Sequence, residues 1–308
     1  MRTYLLYLVA VSLLAFSCSC TDKGRIQDEK EYDSLYSPFK VMSFNILVNS
    51  PSLQGEQVWD FRKEACVRML TECAPDIVGL QECYKNQYDY LLEQLPVFNG
   101  VYIPEKKKNF GTCILFRKDL FELESSGYLW YSANPTVPSP AFKEICDDPT
   151  YRTYIWADLK MASTGRMVYF YSTHFPRNYS ADNKVARQKC AQAMVDHAAS
   201  RIKKGDIVFM TGDFNCSLGD NAGRFSLHPL TSWMNEARSG VPDGKSDTWC
   251  SMNSYKPSSP FVGPSIDYIF FRNIDAQEFR TVVDKNYGVD FISDHYPIIL
   301  TCGIPYKK

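Results

Sequence analysis

From Lys40 onward, short apolar runs alternate with longer stretches in which apolar positions recur at helical spacing, and polar loops separate the two. The short runs predict strands at Val41–Leu47, Asp76–Leu80, Thr112–Phe116, Tyr154–Leu159, Met167–Thr173, Ile207–Thr211, Ile266–Phe271 and Tyr296–Thr301. Several are continuously apolar rather than alternating, which suits strands covered on both faces. Two helices are predicted. Gln57–Cys73 sets Val58, Phe61, Ala65, Met69 and Cys73 on one face, and Ala181–Lys203 does the same with Val185, Ala193, Val195, Ala199 and Ile202. Pro75 and Gly205 stop them. The Pro- and Ser-rich stretch Asn134–Pro140 reads as a loop inside the domain, and the chain carries neither internal repeats nor low-complexity tracts.

Ahead of this pattern stands a different one. Met1-Arg2-Thr3 is followed by an apolar run from Tyr4 to Phe16 and then by Ser17-Cys18-Ser19-Cys20. The run is shorter than the ~20 apolar residues that cross a bilayer, but it fits the apolar core of a signal peptide. Ala15-Phe16-Ser17-Cys18 resembles a bacterial lipobox, so residues 1–17 are expected to be a lipoprotein signal and Cys18 the acylated residue, with Cys20 as the alternative. Residues 18–38, polar and charged, are expected to be a flexible tether, and residues 39–308 the folded domain. The expected location is therefore an exported protein anchored to a membrane by lipid.

With 45% hydrophobic and 22% charged residues in 308, the chain can bury a large core. Its net charge of −1 and pI near 6.4 lack the basic excess that holds nucleic acid regardless of sequence, so any such contact would be local. Nine cysteines remain beyond Cys18 and Cys20. The number is odd and no Cys-x-x-Cys spacing occurs, so no obligatory disulfide framework is expected. Cys113 and Cys302 lie inside apolar runs and read as small buried hydrophobes.

The chemistry stands where apolar strands end. Asn45 closes Val-Met-Ser-Phe-Asn, Glu82 follows Asp-Ile-Val-Gly-Leu-Gln, and His174 ends Val-Tyr-Phe-Tyr-Ser-Thr-His. Asp213 and Asn215 follow Ile-Val-Phe-Met-Thr-Gly, Asp267 sits in Ser-Ile-Asp-Tyr-Ile-Phe, and Asp294-His295 precede Tyr-Pro-Ile. A carboxylate at the end of a buried strand is either solvated or aimed into a shared cleft.

Together, Asp-Ile-Val-Gly-Leu-Gln-Glu, Gly-Asp-Phe-Asn and Ser-Asp-His, in that order over Phe39 to Gly303, resemble the endonuclease/exonuclease/phosphatase superfamily. Trp59-Asp60-Phe61-Arg62-Lys63, Ile114–Asp119, Leu129-Trp130-Tyr131-Ser132 and Ala186-Arg187 are similar to its bacterial metal-dependent hydrolases. The resemblance implies an α/β fold, a DNase I-like four-layered α-β-β-α sandwich of two mixed β-sheets flanked by helices. It also implies hydrolysis of phosphate esters. The substrate class stays open among a phosphorylated small molecule, a phospholipid headgroup and nucleic acid, and no obligate protein partner is expected.

Phosphate-ester hydrolysis needs a cation on the phosphoryl oxygens and a deprotonated water in line. Glu82 and Asn45 offer hard oxygen donors that suit Mg²⁺ or Mn²⁺, and the resemblance adds Asp294, direct or through water. Asp213 is expected to orient the water and Asn215 to donate to a phosphoryl oxygen. Asp267 and His295 are expected to pair, His295 then contacting the phosphate or activating water. His174 matches the nuclease, sphingomyelinase and phosphatase branches rather than abasic-site endonucleases, which usually have Tyr there. Arg152 is expected to meet the phosphate, to support His174, or to lie on the surface. For Arg187 a salt bridge on the helix face is expected.

Three features bear on specificity. After Thr-His-Phe the bacterial relatives often continue Asp-His, but here Pro176 and Arg177 follow, on the leaving-group side of the cleft. Ser265 stands where an Arg is usual, and Thr248-Trp249 replaces a common Thr-Phe. Lys106-Lys107-Lys108 could meet an anionic group or form a solvated loop. Loops Asn134–Pro149 and Ser217–Pro229 are expected to set the substrate. A catalytically inactive surface binding module and an extracellular nuclease are the competing functions, and an intact set of metal and acid–base residues speaks against the first.

Overall fold

Two parallel strand pairs, one in each of two sheets, organise the chain. A computed structural model describes residues 32–103, 111–177, 183–256, 260, 263–284 and 287–307. The expected signal at residues 1–17, Cys18 and Lys106–Lys108 lie outside these residues. In the first sheet β1 (Tyr32–Asn45) runs parallel to β2 (Ile77–Gln81). β3 (Phe98–Tyr102), β4 (Thr112–Arg117), β11 (Asp275–Thr281) and β12 (Ile298–Lys307) complete it in the order β11-β12-β1-β2-β4-β3. In the second, β7 (Met167–His174) runs parallel to β8 (Ile207–Asp213). β5 (Phe121–Trp130), β6 (Thr153–Met161), β9 (Asn235–Glu236) and β10 (Asp267–Arg272) give the order β5-β6-β7-β8-β10-β9.

The continuous hydrophobicity of these strands has a direct cause. Along β8, Ile207 and Phe209 enter the core between the sheets, while Val208 and Met210 enter a second core under α3 (Asn183–Ala199) and α4 (Asn221–Trp233). Along β12, Ile298 and Leu300 face the inter-sheet core and Ile299 faces a third core under α1 (Trp59–Cys73). Side chains alternate across a strand, so one apolar run serves two cores. The result is the four-layered sandwich of two mixed sheets between helices.

Several expectations are corrected. β1 spans Tyr32–Asn45 rather than Val41–Leu47, because the backbone of Tyr32 to Tyr36 pairs with β12; residues 32–38, expected in the tether, are strand. Ser217–Pro229 is not a free loop. Asp220 caps α4 by accepting from the Gly223 N–H (2.7 Å), and the helix continues through Pro229, which is buried beside Leu227 and Leu230. Helix α2 (Lys85–Gln94) and the strands β3, β5 and β11 carry weaker apolar patterns and were not predicted. Cys113 and Cys302 are buried, and the nine described cysteines are free thiols.

Near the site the two sheets approach closely. Gly79 leaves no space for a side chain: a Cβ there would lie 2.1 Å from Thr211 Oγ1 and 2.9 Å from Ser172 Oγ. Thr211 cannot swing away freely, since its hydroxyl donates to the Tyr171 carbonyl (3.0 Å). Gly79→Ala is therefore expected to destabilise the fold by about 1–3 kcal/mol through overpacking. Denaturant midpoints measure this, and an unchanged midpoint would refute the tight approach.

Candidate active site

The site forms where both parallel pairs end and the antiparallel strands β10 and β12 begin. In the second sheet His174 pairs in register with Asp213, and Asp213 with Asp267, so three functional side chains stand in one row across β7, β8 and β10. Asn45 and Glu82 end and follow β1 and β2 of the first sheet, and Asp294 and His295 lead into β12. All except Asp294 and Asn215, which are part-exposed, are buried. The strand-end residues singled out by sequence thus meet at one edge of the sandwich.

Hydrogen bonds and charges couple them. His295 Nδ1 lies 2.8 Å from Asp267 Oδ2, and His295 Nε2 lies 3.8 Å from Asp213 Oδ2. Asn45 Nδ2 donates to Asp213 Oδ2 (3.0 Å), and the Asn215 N–H donates to Asp213 Oδ1 (2.9 Å). His174 Nε2 is 3.4 Å from Asp213 Oδ2, and its Nδ1 is 3.9 Å from Glu82 Oε1. That Nδ1 is buried without a hydrogen-bond partner, as is Asp267 Oδ1, so polar capacity remains directed into the cluster.

These surroundings split the two histidines. Burial, followed by the charges of Arg152 and Arg177, pushes His174 well below 6.5 and leaves its ring neutral. Burial opposes charge on His295 too, but the Asp267 carboxylate and then Asp213 outweigh it and push the imidazole up to about 10. Asp213 is raised by burial and by the charge of Asp267, and Glu82 by burial and by the charge of Asp294.

Supporting contacts explain the placement. Glu82 adopts φ +56°, which turns it out of β2, and accepts from the Val48 N–H (3.4 Å). Buried Gln87 of α2 holds the loop above it, donating to the Leu47 carbonyl (2.9 Å) and accepting from the Asn49 N–H (3.1 Å). Buried Arg62 of α1 donates to the carbonyls of Ile46, Leu47 and Ile292, tying the end of β1 to the approach to Asp294. The Ser293 hydroxyl reaches the Asn45 carbonyl (2.7 Å) and Asp294 Oδ1 (3.2 Å), and the Ser251 hydroxyl accepts from the Asp267 N–H (3.1 Å). Gln87, Ser251 and Ser293 were not foreseen. Ser293 lay within the Ser-Asp-His motif, while the other two gave no local signal.

Arg152 and Arg187 are corrected or sharpened. Arg152 is buried rather than on the surface and pairs with Asp148 (3.3 Å), sending its charge toward Glu82 and His174. Arg187, expected in a salt bridge on the helix face, is buried and donates to the Pro176 carbonyl (3.4 Å), because its face of α3 packs on the sheet.

One set of possible metal-donor atoms converges among the described residues. Asp213, Asp267 and His295 have ligand atoms within 4.8 Å of one another. His295 Nδ1 is taken up by Asp267 Oδ2 (2.8 Å), which leaves its Nε2 for a further contact. Glu82 and Asp294 are near enough for the charge of Asp294 to raise the proton affinity of Glu82, and Asn45 Oδ1 accepts from the Leu47 N–H (3.2 Å).

A model of the Endonuclease/Exonuclease/phosphatase family matches residues 42–295. No curated protein matches the chain. Among solved structures, an endonuclease/exonuclease/phosphatase from Bacteroides vulgatus superposes with a TM-score of 0.74 at 21% identity, covering 87% of this chain and 99% of that one. A mannosyl-6-phosphatase of Bacteroides thetaiotaomicron gives 0.70 at 21% identity, with 86% and 99% covered. TDP2 of D. rerio, complexed with single-strand DNA product, gives 0.67 at 17% identity, with 87% and 99% covered. With its family model spanning most of the chain and the DNase I-like sandwich behind the site, this protein belongs to the endonuclease/exonuclease/phosphatase family of phosphoester hydrolases.

Proposed function

We propose that the protein is an exported, metal-dependent hydrolase of phosphate esters, working at the strand-end cluster of Glu82, His174, Asp213, Asp267 and His295. The observation that carries this is the row His174–Asp213–Asp267 facing His295, with one histidine neutral and the other charged. Glu82, Asn45 and Asp294 would hold Mg²⁺ or Mn²⁺, which supplies electrophilic charge to the phosphoryl oxygens. Asp213, its proton affinity raised, accepts a proton from the attacking water. His295, kept charged by Asp267, donates to a phosphoryl oxygen; of its two expected roles the charged state favours this one. Asn215 spends one amide N–H on the Phe175 carbonyl (3.0 Å) and has a second for the phosphate. As water oxygen bonds to phosphorus, the bond to the leaving oxygen breaks, and that oxygen takes up a proton.

The test is a screen of the purified domain with Mg²⁺ and with chelator against bis-p-nitrophenyl phosphate, plasmid DNA, sphingomyelin and a sugar-phosphate panel. Chelator-sensitive turnover is expected. Substrate binding without turnover would instead favour an inactive binding module, and selective cleavage of DNA a nuclease.

Export rests on the leader and lipobox at Cys18. Metabolic labelling with a palmitate analogue is expected to mark the wild type and not Cys18→Ala. Loss on Cys20→Ala alone would move the site by two residues, and an unlabelled wild type would reject the anchor.

A further inference from the structure

The segment leaving β7, Phe175-Pro176-Arg177, is held by more buried polar groups than a surface turn needs. Each of its carbonyls accepts from a side chain: Phe175 from Asn215 Nδ2 (3.0 Å), Pro176 from Arg187 (3.4 Å) and Arg177 from Asn183 Nδ2 (2.7 Å). The Arg177 N–H donates to Asp148 Oδ2 (2.7 Å), and Asp148 is a buried carboxylate that also pairs with Arg152. Asn183 is itself buried and linked to Asp147 (2.7 Å). Buried polar groups are costly unless satisfied, so buried Asp148, Asn183 and Arg187, together with part-exposed Asn215, fix the backbone of these three residues strongly.

What the clamp presents outward is the Arg177 side chain. It is 50% exposed, and its guanidinium reaches to 3.8 Å from Glu82 Oε1, which is 7% exposed. A half-exposed cation on a fixed backbone therefore stands beside the catalytic cluster.

We infer that Arg177 is a specificity-determining residue that pairs with the additional anionic oxygen of a phosphomonoester, so that the site favours phosphomonoesters over phosphodiesters. This deepens the phosphate-ester reading and rests on it. A diester bears a single negative charge on two free oxygens. A monoester near neutral pH bears close to two charges, its second pKa being about 6, on three free oxygens. The planar guanidinium can take two of those oxygens in parallel, a geometry that a lysine does not reproduce. Esterifying one oxygen removes both a charge and an acceptor and sets an alkyl or aryl group against a cation that cannot retreat with its backbone. Arg177 gives up its contact with Glu82 as the phosphate arrives, one charge pair replacing another.

The test compares wild type, Arg177→Gln and Arg177→Lys on p-nitrophenyl phosphate, bis-p-nitrophenyl phosphate and a sugar bisphosphate, with calorimetry of inorganic phosphate as a readout independent of turnover. Wild type is expected to prefer the monoester. Arg177→Gln should lose on the order of 10- to 100-fold in kcat/KM for the monoester, chiefly in KM, and less than about 3-fold for the diester. Its phosphate affinity should fall in parallel, and Arg177→Lys should recover only part. Equal losses on both esters, a wild-type preference for the diester, or unchanged phosphate affinity would overturn the inference. A loss confined to the bisphosphate would transfer the contact to a second phosphate and also overturn it. Turnover of no ester by wild type would overturn the hydrolase reading, while the phosphate titration would still decide whether Arg177 holds the anion.

Discussion

Glu82→Gln is expected to lower kcat by on the order of 10³-fold while leaving the metal-free protein at least as stable as wild type. The loss follows from removing an anionic oxygen donor beside the reacting phosphate, and at 1.36 kcal/mol per decade it amounts to about 4 kcal/mol of transition-state stabilisation. The stability follows from the environment of Glu82 in the folded protein. Its carboxylate is desolvated and repelled by Asp294, so its charge is a burden that the neutral amide does not carry. The two effects separate a functional residue from a structural one. In chelator, thermal midpoints should match or favour the variant, whereas added Mg²⁺ should raise the wild-type midpoint and leave the variant nearly unmoved, since a ligand stabilises only the state that binds it. Near wild-type turnover at limiting Mg²⁺, or a Mg²⁺-induced shift as large in the variant, would remove Glu82 from the metal site.

The second large effect concerns Asp267 and His295. Asp267→Asn keeps the shape beside His295 Nδ1 but removes the carboxylate that holds the imidazolium at 2.8 Å. The expected loss in kcat is on the order of 10²-fold, within the range for a positioned acid or base, and His295→Ala should lose about 10³-fold. The double variant should be no worse than His295→Ala, because a carboxylate that acts through an imidazole has nothing to act on once the ring is gone. A second signature is spectroscopic. The titration midpoint of His295, pushed up to about 10 in the wild type, should fall toward the ordinary 6.5 in Asp267→Asn. Additivity within about 0.5 kcal/mol, or an unmoved titration, would mean that Asp267 merely opens β10 and His295 merely packs against its neighbours.

Much of this was legible along the chain because it is local. An apolar run such as Ile207–Thr211 reads as a strand, and the helical spacing over Gln57–Cys73 marks a helix, although Phe61 of its expected face is exposed while Arg62, Cys66 and Leu70 are buried. Polar residues at the ends of such runs mark Asn45, Glu82, His174 and Asp213 where strands close and Asp267 where one opens. Edge strands β3 and β5 were missed since half of each faces solvent and their apolar period is diluted. Helix α4 was missed because Pro229 argues against a helix locally, while burial beside Leu227 and Leu230 outweighs it.

Local patterning along the chain carries the layers, the strand ends and the residue types that stand there. Closure of the two sheets set how these residues act on one another: β7, β8 and β10 align His174, Asp213 and Asp267 in one row, His174 is neutral and His295 charged, and Asp148, Asn183, Arg187 and Asn215 grip the backbone of Phe175 to Arg177. The physical reason is range. Periodicity reports how each residue meets the sheet or helix it belongs to, whereas desolvation, ion pairing and hydrogen bonding depend on neighbours that are distant along the chain and become adjacent only when the two sheets close.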